Sequence, residues 1–258
     1  MSMSATRLSA ASHSSGGLSP NIMLMIRRII SSIPNAITCC NLISGCVAVY
    51  MAFHLTDTFA GLDGRIWTYI FIAAAALFDF CDGASSRILK AYSAIGRELD
   101  SLADVVSFGV APAMLVLNVM QLHSSHPWAA FAAMFIPAMG ALRLAIFNVD
   151  TTQSTVFKGL PIPANAIFWI GACDWIARYV YPGDVVMIAV IIGVSLLMVC
   201  KMRMFSLKFK NFSPSENFAR YALIIASVAF VISGGFSGLV WSIEFYVLLS
   251  AFPRYRAY

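Results

Sequence analysis

The sequence predicts an all-α fold: a polytopic membrane helix bundle of about eight transmembrane helices. Three observations predict it. Hydrophobic residues make up 60% of the 258-residue chain. Charged residues make up only 11%, against about 25% in an ordinary soluble domain. The apolar residues also fall in eight runs, most of them close to the roughly 20 residues that a spanning helix needs. Within hydrocarbon a backbone must satisfy its own polar groups, so such runs are expected to be helical.

Residues 1–20 are rich in Ser, Ala and Gly, and this composition predicts a disordered tail. They lack the compact basic region, apolar stretch and cleavage site of a signal peptide. Residues 21–33 are too short to span. With Arg27 and Arg28 at headgroup level they are expected to form an interfacial amphipathic helix. The eight spanning segments are expected near 35–55, 66–88, 100–122, 128–148, 162–181, 184–201, 218–235 and 237–252. The link between the last two, Ser233 to Gly238, is very short. It fits a tight turn between antiparallel helices or a break in one long helix.

Charge sets the orientation. With the N-terminus in the cytoplasm and eight crossings, only Arg65 and Arg178 of the 17 basic residues fall outside. Both termini are then cytoplasmic, and losing one helix would spoil the asymmetry. The net charge of +5 reads as basic loops facing anionic lipid, with no nucleic-acid partner expected. The six cysteines form no CxxC pair and are expected to be small buried hydrophobes. Trp67, Tyr69, Trp128, Trp175, Tyr179 and Tyr181 fit interfacial belts.

The chain has 12 acidic residues, and five of them, Asp79, Asp82, Glu98, Asp100 and Asp104, lie within residues 79–104. Helical spacing of three puts Asp79 and Asp82 on one face. Spacing of four does the same for Asp100 and Asp104. Two antiparallel helices can aim both pairs at one point, and like charges that close cannot all stay ionised unaided. Two divalent cations would balance them, with oxygen ligands favouring Mg²⁺, Mn²⁺ or Ca²⁺ over zinc. Paired metals can clamp the oxygens of a phosphoryl displacement. Gly83 and Gly96 leave space for a close ligand, and the Arg87 guanidinium suits a phosphate. Two rival readings are a divalent-cation transporter and a purely structural pairing of helices. Transporter sites tend to lie near the bilayer midplane on broken helices, whereas these carboxylates are expected at helix ends.

The window resembles the signature of the CDP-alcohol phosphotransferases, D-x2-D-G-x2-A-R-x8-G-x3-D-x3-D. Asp79, Asp82, Gly83, Arg87, Gly96, Asp100 and Asp104 all fall in register, and Ser86 replaces the usual Ala. Pro34-Asn35-Ala36-Ile37-Thr38 is similar to the segment that leads into the family's first helix. Residues 97–112, 143–150 and 157–164 resemble the phosphatidylserine synthase branch, although Ile146 stands where branch members often carry a second Arg. The resemblance covers roughly residues 30–200. It implies a catalytic core of six transmembrane helices over 34–201, with a two-helix extension and tail over 202–258.

The resemblance implies an enzyme that joins CDP-diacylglycerol and L-serine to give phosphatidylserine and CMP. It implies a divalent cofactor, Mg or Mn (or Ca), with two ions per active site. By position, Asp79, Asp82 and Asp100 would ligate metal, and Asp104 would serve both as metal ligand and as the base for the serine hydroxyl. Gly83, Arg87 and Gly96 would hold the CDP portion. A homodimer in the plasma membrane (the inner membrane of a bacterium), with its active site facing the cytoplasm, is also implied. A sister transferase using glycerol 3-phosphate or inositol phosphate remains the alternative. Arg143 is either a ligand for phosphate or serine or a snorkelling charge. Lys158 is either a second such ligand or a solvated loop residue. Asn35 and Thr38 cap the first helix or touch the nucleotide. Asn148 and Asp150 are weaker candidates for the serine ammonium. Asp174 and Glu244, single acids in apolar segments, read as helix-pairing or outer-interface residues.

Overall fold

The structure, a computed structural model, describes residues 20–150, 157–205, 213 and 217–252. The expected tail over 1–19 and the basic residues Lys208, Lys210, Arg254 and Arg256 lie outside the described residues, as do the side chains of residues 20–31. The protein is mostly helical. Its helices are α1 (Pro20–Ala52), α2 (Gly64–Ile88), α3 (Ala94–Asp104), α4 (Ala111–His123), α5 (Phe135–Val149), α6 (Ile162–Arg178), α7 (Asp184–Val199), α8 (Phe218–Gly234) and α9 (Gly238–Ala251). A π-helical turn, Val105–Val110, joins α3 to α4, and a 3₁₀ segment, Pro127–Met134, leads into α5.

Among the described residues, five helical stretches are long and apolar enough to cross a membrane: Ser32–Ala52, Gly64–Ile88, Ala94–His123, Pro127–Val149 and Phe218–Ala251. The expected segments at 162–181 and 184–201 are present as α6 and α7, with 17 and 16 residues. The stretch Phe218–Ala251 is folded back on itself. The rings of Phe230 and Phe245 lie 6.4 Å apart, which fifteen residues of straight helix cannot allow. Gly235, at φ +61°, makes the turn in a conformation that L side chains rarely adopt.

Three local expectations are corrected. The segment 21–33 is not a separate helix but runs into the first spanning segment as one helix, with Pro34 inside it. A proline inside a helix removes one backbone donor, and here the helix continues past it. Among the cysteines only Cys173 is buried, while Cys39, Cys40 and Cys46 lie exposed on α1. In a bundle bathed in hydrocarbon an apolar thiol loses nothing by facing outward. Tyr69 is no interfacial belt residue: it is 1% exposed and packs against Phe236 with ring centroids 5.3 Å apart.

The core is built from small residues and a few large ones, with Trp169, Phe108, Leu115 and Met120 fully buried. α1 and α2 form the most extensive helix pair, and α3, the π turn and α4 pack across α1. Gly45 lies so close to Ser107 that a Cβ there would overlap it. The Phe108 carbonyl accepts from Asn165 Nδ2 at 3.1 Å, and Pro112, four residues on, has no N–H to offer it. A two-residue ribbon, β3 (Phe157–Lys158) against β4 (Arg203–Met204), ties the α5–α6 link to the chain after α7.

Candidate active site

α2 ends and α3 begins at the same end of the bundle. Ser93 caps α3, its Oγ accepting from the Gly96 amide at 2.9 Å. Of the four carboxylates expected to meet at one point, three do so. The carboxylates of Asp79, Asp82 and Asp100 offer oxygens that all lie within 4.8 Å of one another. Asp104 stands one turn further along α3, 8% exposed and outside that group of three. No lysine or arginine forms an ion pair with these four carboxylates among the described residues.

Neutral donors from α1 hold two of them. Thr38 Oγ1 lies 2.6 Å from Asp82 Oδ2 and 3.0 Å from the Pro34 carbonyl. It has one proton, and the shorter contact is to Asp82. Asn41 Nδ2 donates to Asp104 Oδ1 at 3.4 Å, while Ser107 Oγ donates to the Asn41 carbonyl at 3.1 Å. Asp100 Oδ1 is buried with no hydrogen-bond partner. An acceptor-only group left bare beside two further carboxylates fits a site built for a cation.

A cavity of about 270 Å³ opens beside the cluster. α1 contributes Pro34, Asn35 and Thr38, and α2 contributes Asp82, Gly83 and Ser86. Tyr92, Ser93, Gly96, Arg97 and Asp100 close the other side. A Cβ at Gly96 would meet Asn35 Oδ1 and Ser93 Oγ, each at 2.9 Å, so glycine lets α1 and α3 approach here. Arg87 is exposed one turn beyond Gly83, its Nε donating to the Gly83 carbonyl at 2.7 Å. It does not line this cavity, whereas Arg97 does.

Arg143 and Lys158 come together elsewhere. Arg143, 8% exposed and with its Nε lacking a hydrogen bond, lines a second cavity of about 450 Å³ with Lys158, Lys201 and Arg203. Lys158 Nζ pairs with Asp150 Oδ2 at 2.8 Å. Arg143 is also near enough to Asp104 for the two charges to interact. Asn148 Nδ2 donates to Ser101 Oγ at 2.9 Å, which fastens α5 to α3.

Asn41, Ser107, Lys201 and Arg203 are not among the site residues that the sequence points to. For Asn41 the signal exists: Asn35, Thr38, Asn41 and Ser44 recur every three residues in the largely apolar part of α1 that follows Pro34. Lys201 and Arg203 carry no local signal, because the β3–β4 pairing brings them in.

A family model described as CDP-alcohol phosphatidyltransferase matches residues 31–248. The chain belongs to this family. Among the relatives of this CDP-alcohol phosphatidyltransferase is a Bacillus subtilis protein named CDP-diacylglycerol–serine O-phosphatidyltransferase. The two are 35% identical over 172 residues, covering 66% of this chain and 88% of the relative. A Methanocaldococcus jannaschii protein of the same name is 35% identical over 175 residues, covering 68% of this chain and 75% of the relative. A third, from Mycobacterium leprae, is 46% identical over 107 residues, covering 39% of this chain and 35% of that one. The acidic cluster and both cavities lie within the span matched by the CDP-alcohol phosphatidyltransferase model.

Proposed function

We propose that this chain is a phosphatidylserine synthase, transferring the phosphatidyl group of CDP-diacylglycerol to the hydroxyl of L-serine with release of CMP. The observation that carries the reading is the meeting of three carboxylates at one point beside a cavity lined by Gly83 and Gly96. The names of the relatives supply serine. Asp79, Asp82 and Asp100, with Asp104, would hold two divalent ions, Mg or Mn. When bound, these supply Lewis-acid stabilisation of the pyrophosphate and the departing CMP.

The remaining work falls to the chain. Gly83 and Gly96 leave room for the nucleotide, Asn35 and Thr38 border it, and Arg87 neutralises its phosphates. Asp104 accepts the serine hydroxyl proton as the serine oxygen attacks the lipid-side phosphorus. The phosphorus–oxygen bond to CMP breaks, and CMP leaves with the electron pair. Asn41 holds one carboxylate oxygen of Asp104 and leaves the other for that proton. Arg143 and Lys158 bind the serine carboxylate. Eight crossings, with both termini and the site on the cytoplasmic side of the plasma membrane, agree with the distribution of basic residues. The active form is a homodimer.

Purified protein given CDP-diacylglycerol, Mg²⁺ or Mn²⁺ and labelled serine is expected to form labelled phosphatidylserine and CMP. Release of CMP only with a phosphorylated alcohol would overturn the serine assignment. One observation favours that second reading: Arg143, Lys158, Lys201 and Arg203 share a single cavity. Such a cation set suits the phosphate of glycerol 3-phosphate or inositol phosphate as well as a carboxylate.

A further inference from the structure

α7 and α9 both pack on α6 but scarcely on each other. Between them lies a groove of about 450 Å³. Its walls are aliphatic or aromatic, from Leu160 and Phe168 through Val190, Val194 and Leu197 to Leu248. Glu244 is the one polar side chain that lines it. Among the described residues no hydrogen bond or ion pair reaches Glu244, unlike Asp174, the other lone acid of the apolar helices. An intramembrane carboxylate that the described residues leave unpaired is a functional signal, because hydrocarbon does not solvate it.

Size and charge together select the occupant. A groove of this volume seats one extended chain, whereas a spanning helix, about 10–12 Å across, would lie over it. A single acyl chain does fit. Gly193 widens the groove, since a Cβ built there meets nothing within 4 Å. Glu244 lies seven residues before the end of α9, roughly 10 Å along the helix axis, within reach of a lipid's polar end. The complement of one carboxylate in an apolar groove is one cation joined to an apolar chain.

We propose that the groove between α6, α7 and α9 is a lipid site for an amine-bearing phospholipid. One acyl chain lies along Gly193 and Val194, and the headgroup ammonium pairs with Glu244. The site is separate from the acidic cluster and does not depend on the transferase reading.

The test uses the full-length protein in lipid nanodiscs with two photoactivatable phospholipids of identical chains, one with an ethanolamine headgroup and one with glycerol. The ethanolamine probe is expected to label peptides containing Val190–Leu197 and Ile243–Leu248 about fivefold more than the glycerol probe, as one charge-assisted contact would give. Glu244→Gln is expected to bring that ratio to about one. Gly193→Phe is expected to abolish labelling there by both probes, with Gly193→Leu as the milder filling if the first variant does not fold. Equal labelling of the wild-type chain by the two probes overturns the proposal. So does labelling that survives a folded groove-filling variant, or cross-linking of these peptides to a second copy instead of lipid.

Discussion

Two regions of this molecule bury aspartate among apolar helices, and they treat it in opposite ways. At one end of α6, Asp174 is 1% exposed. Its Oδ2 receives Arg178 Nε at 2.7 Å and Ser237 Oγ at 2.8 Å, while its Oδ1 has no partner. The charge is cancelled within the chain, and the product is structural: α6 is fixed to the turn between α8 and α9. At the opposite end, Asp82 receives Thr38 and Asp104 receives Asn41, both neutral donors, and among the described residues no lysine or arginine forms an ion pair with Asp79, Asp82, Asp100 or Asp104. Those donors orient the carboxylates without discharging them. A chain able to place an arginine four residues from an aspartate has left four others without an ion pair among the described residues, Arg143 reaching Asp104 only at longer range. Uncancelled charge is what a cation-dependent site requires.

The contrast can be broken most sharply at Asp104. Asp104→Asn keeps the shape and removes the proposed base, and serine transfer is expected to fall by roughly 10²–10⁴-fold with the fold intact by circular dichroism. Retention of wild-type turnover would put the acidic end in the same structural class as Asp174. Removal of divalent ions is the next test. EDTA is expected to abolish transfer, with Mg²⁺ or Mn²⁺ restoring it, and to lower the unfolding temperature as the carboxylates repel. In Asp79→Asn/Asp100→Asn the unfolding temperature should no longer respond to EDTA.

The other end answers in stability alone. Arg178→Met strands a buried carboxylate and is expected to cost about 2 kcal/mol, a buried-pair penalty reduced because Arg178 is itself half exposed. Thermal unfolding measures it, and transfer activity is expected to stay unchanged. Thr38→Val is the smallest effect. Loss of one hydroxyl contact to Asp82 is expected to raise the KM for CDP-diacylglycerol about fivefold, corresponding to about 1 kcal/mol. A fall in kcat alone would mean that Thr38 acts on the chemistry and not on binding.

Helical periodicity is a local property, and what depended on it was legible in the sequence. The pairs Asp79/Asp82 and Asp100/Asp104 are separated by three and four residues, and no tertiary information is needed to see that each shares a face. The apolar runs ended within a few residues of most helix ends, because hydrocarbon tolerates only helix. What was not legible depends on contacts between distant segments. Lys201 joins Arg143 across 58 positions through the β3–β4 ribbon, and Pro34 reads as a helix boundary until packing overrides it. The burial of Tyr69 was hidden for another reason: an aromatic near a helix end suits a membrane interface and a core equally well.

The π turn at Val105–Val110 has a consequence for how such a site is set. A π-helical turn amounts to one residue more than an α-helix would use, and one residue of an α-helix is a rotation of about 100°. The stretch from Ala94 to His123 therefore carries a phase shift just after Asp104. Above it, the angular position of α4 is dictated by the core. Below it, the carboxylates of α3 point where α2 needs them. Deleting one residue within the turn would restore a regular helix and swing Asp100 and Asp104 a quarter-turn away from α2, leaving every side chain of the cluster present and the cluster itself dispersed.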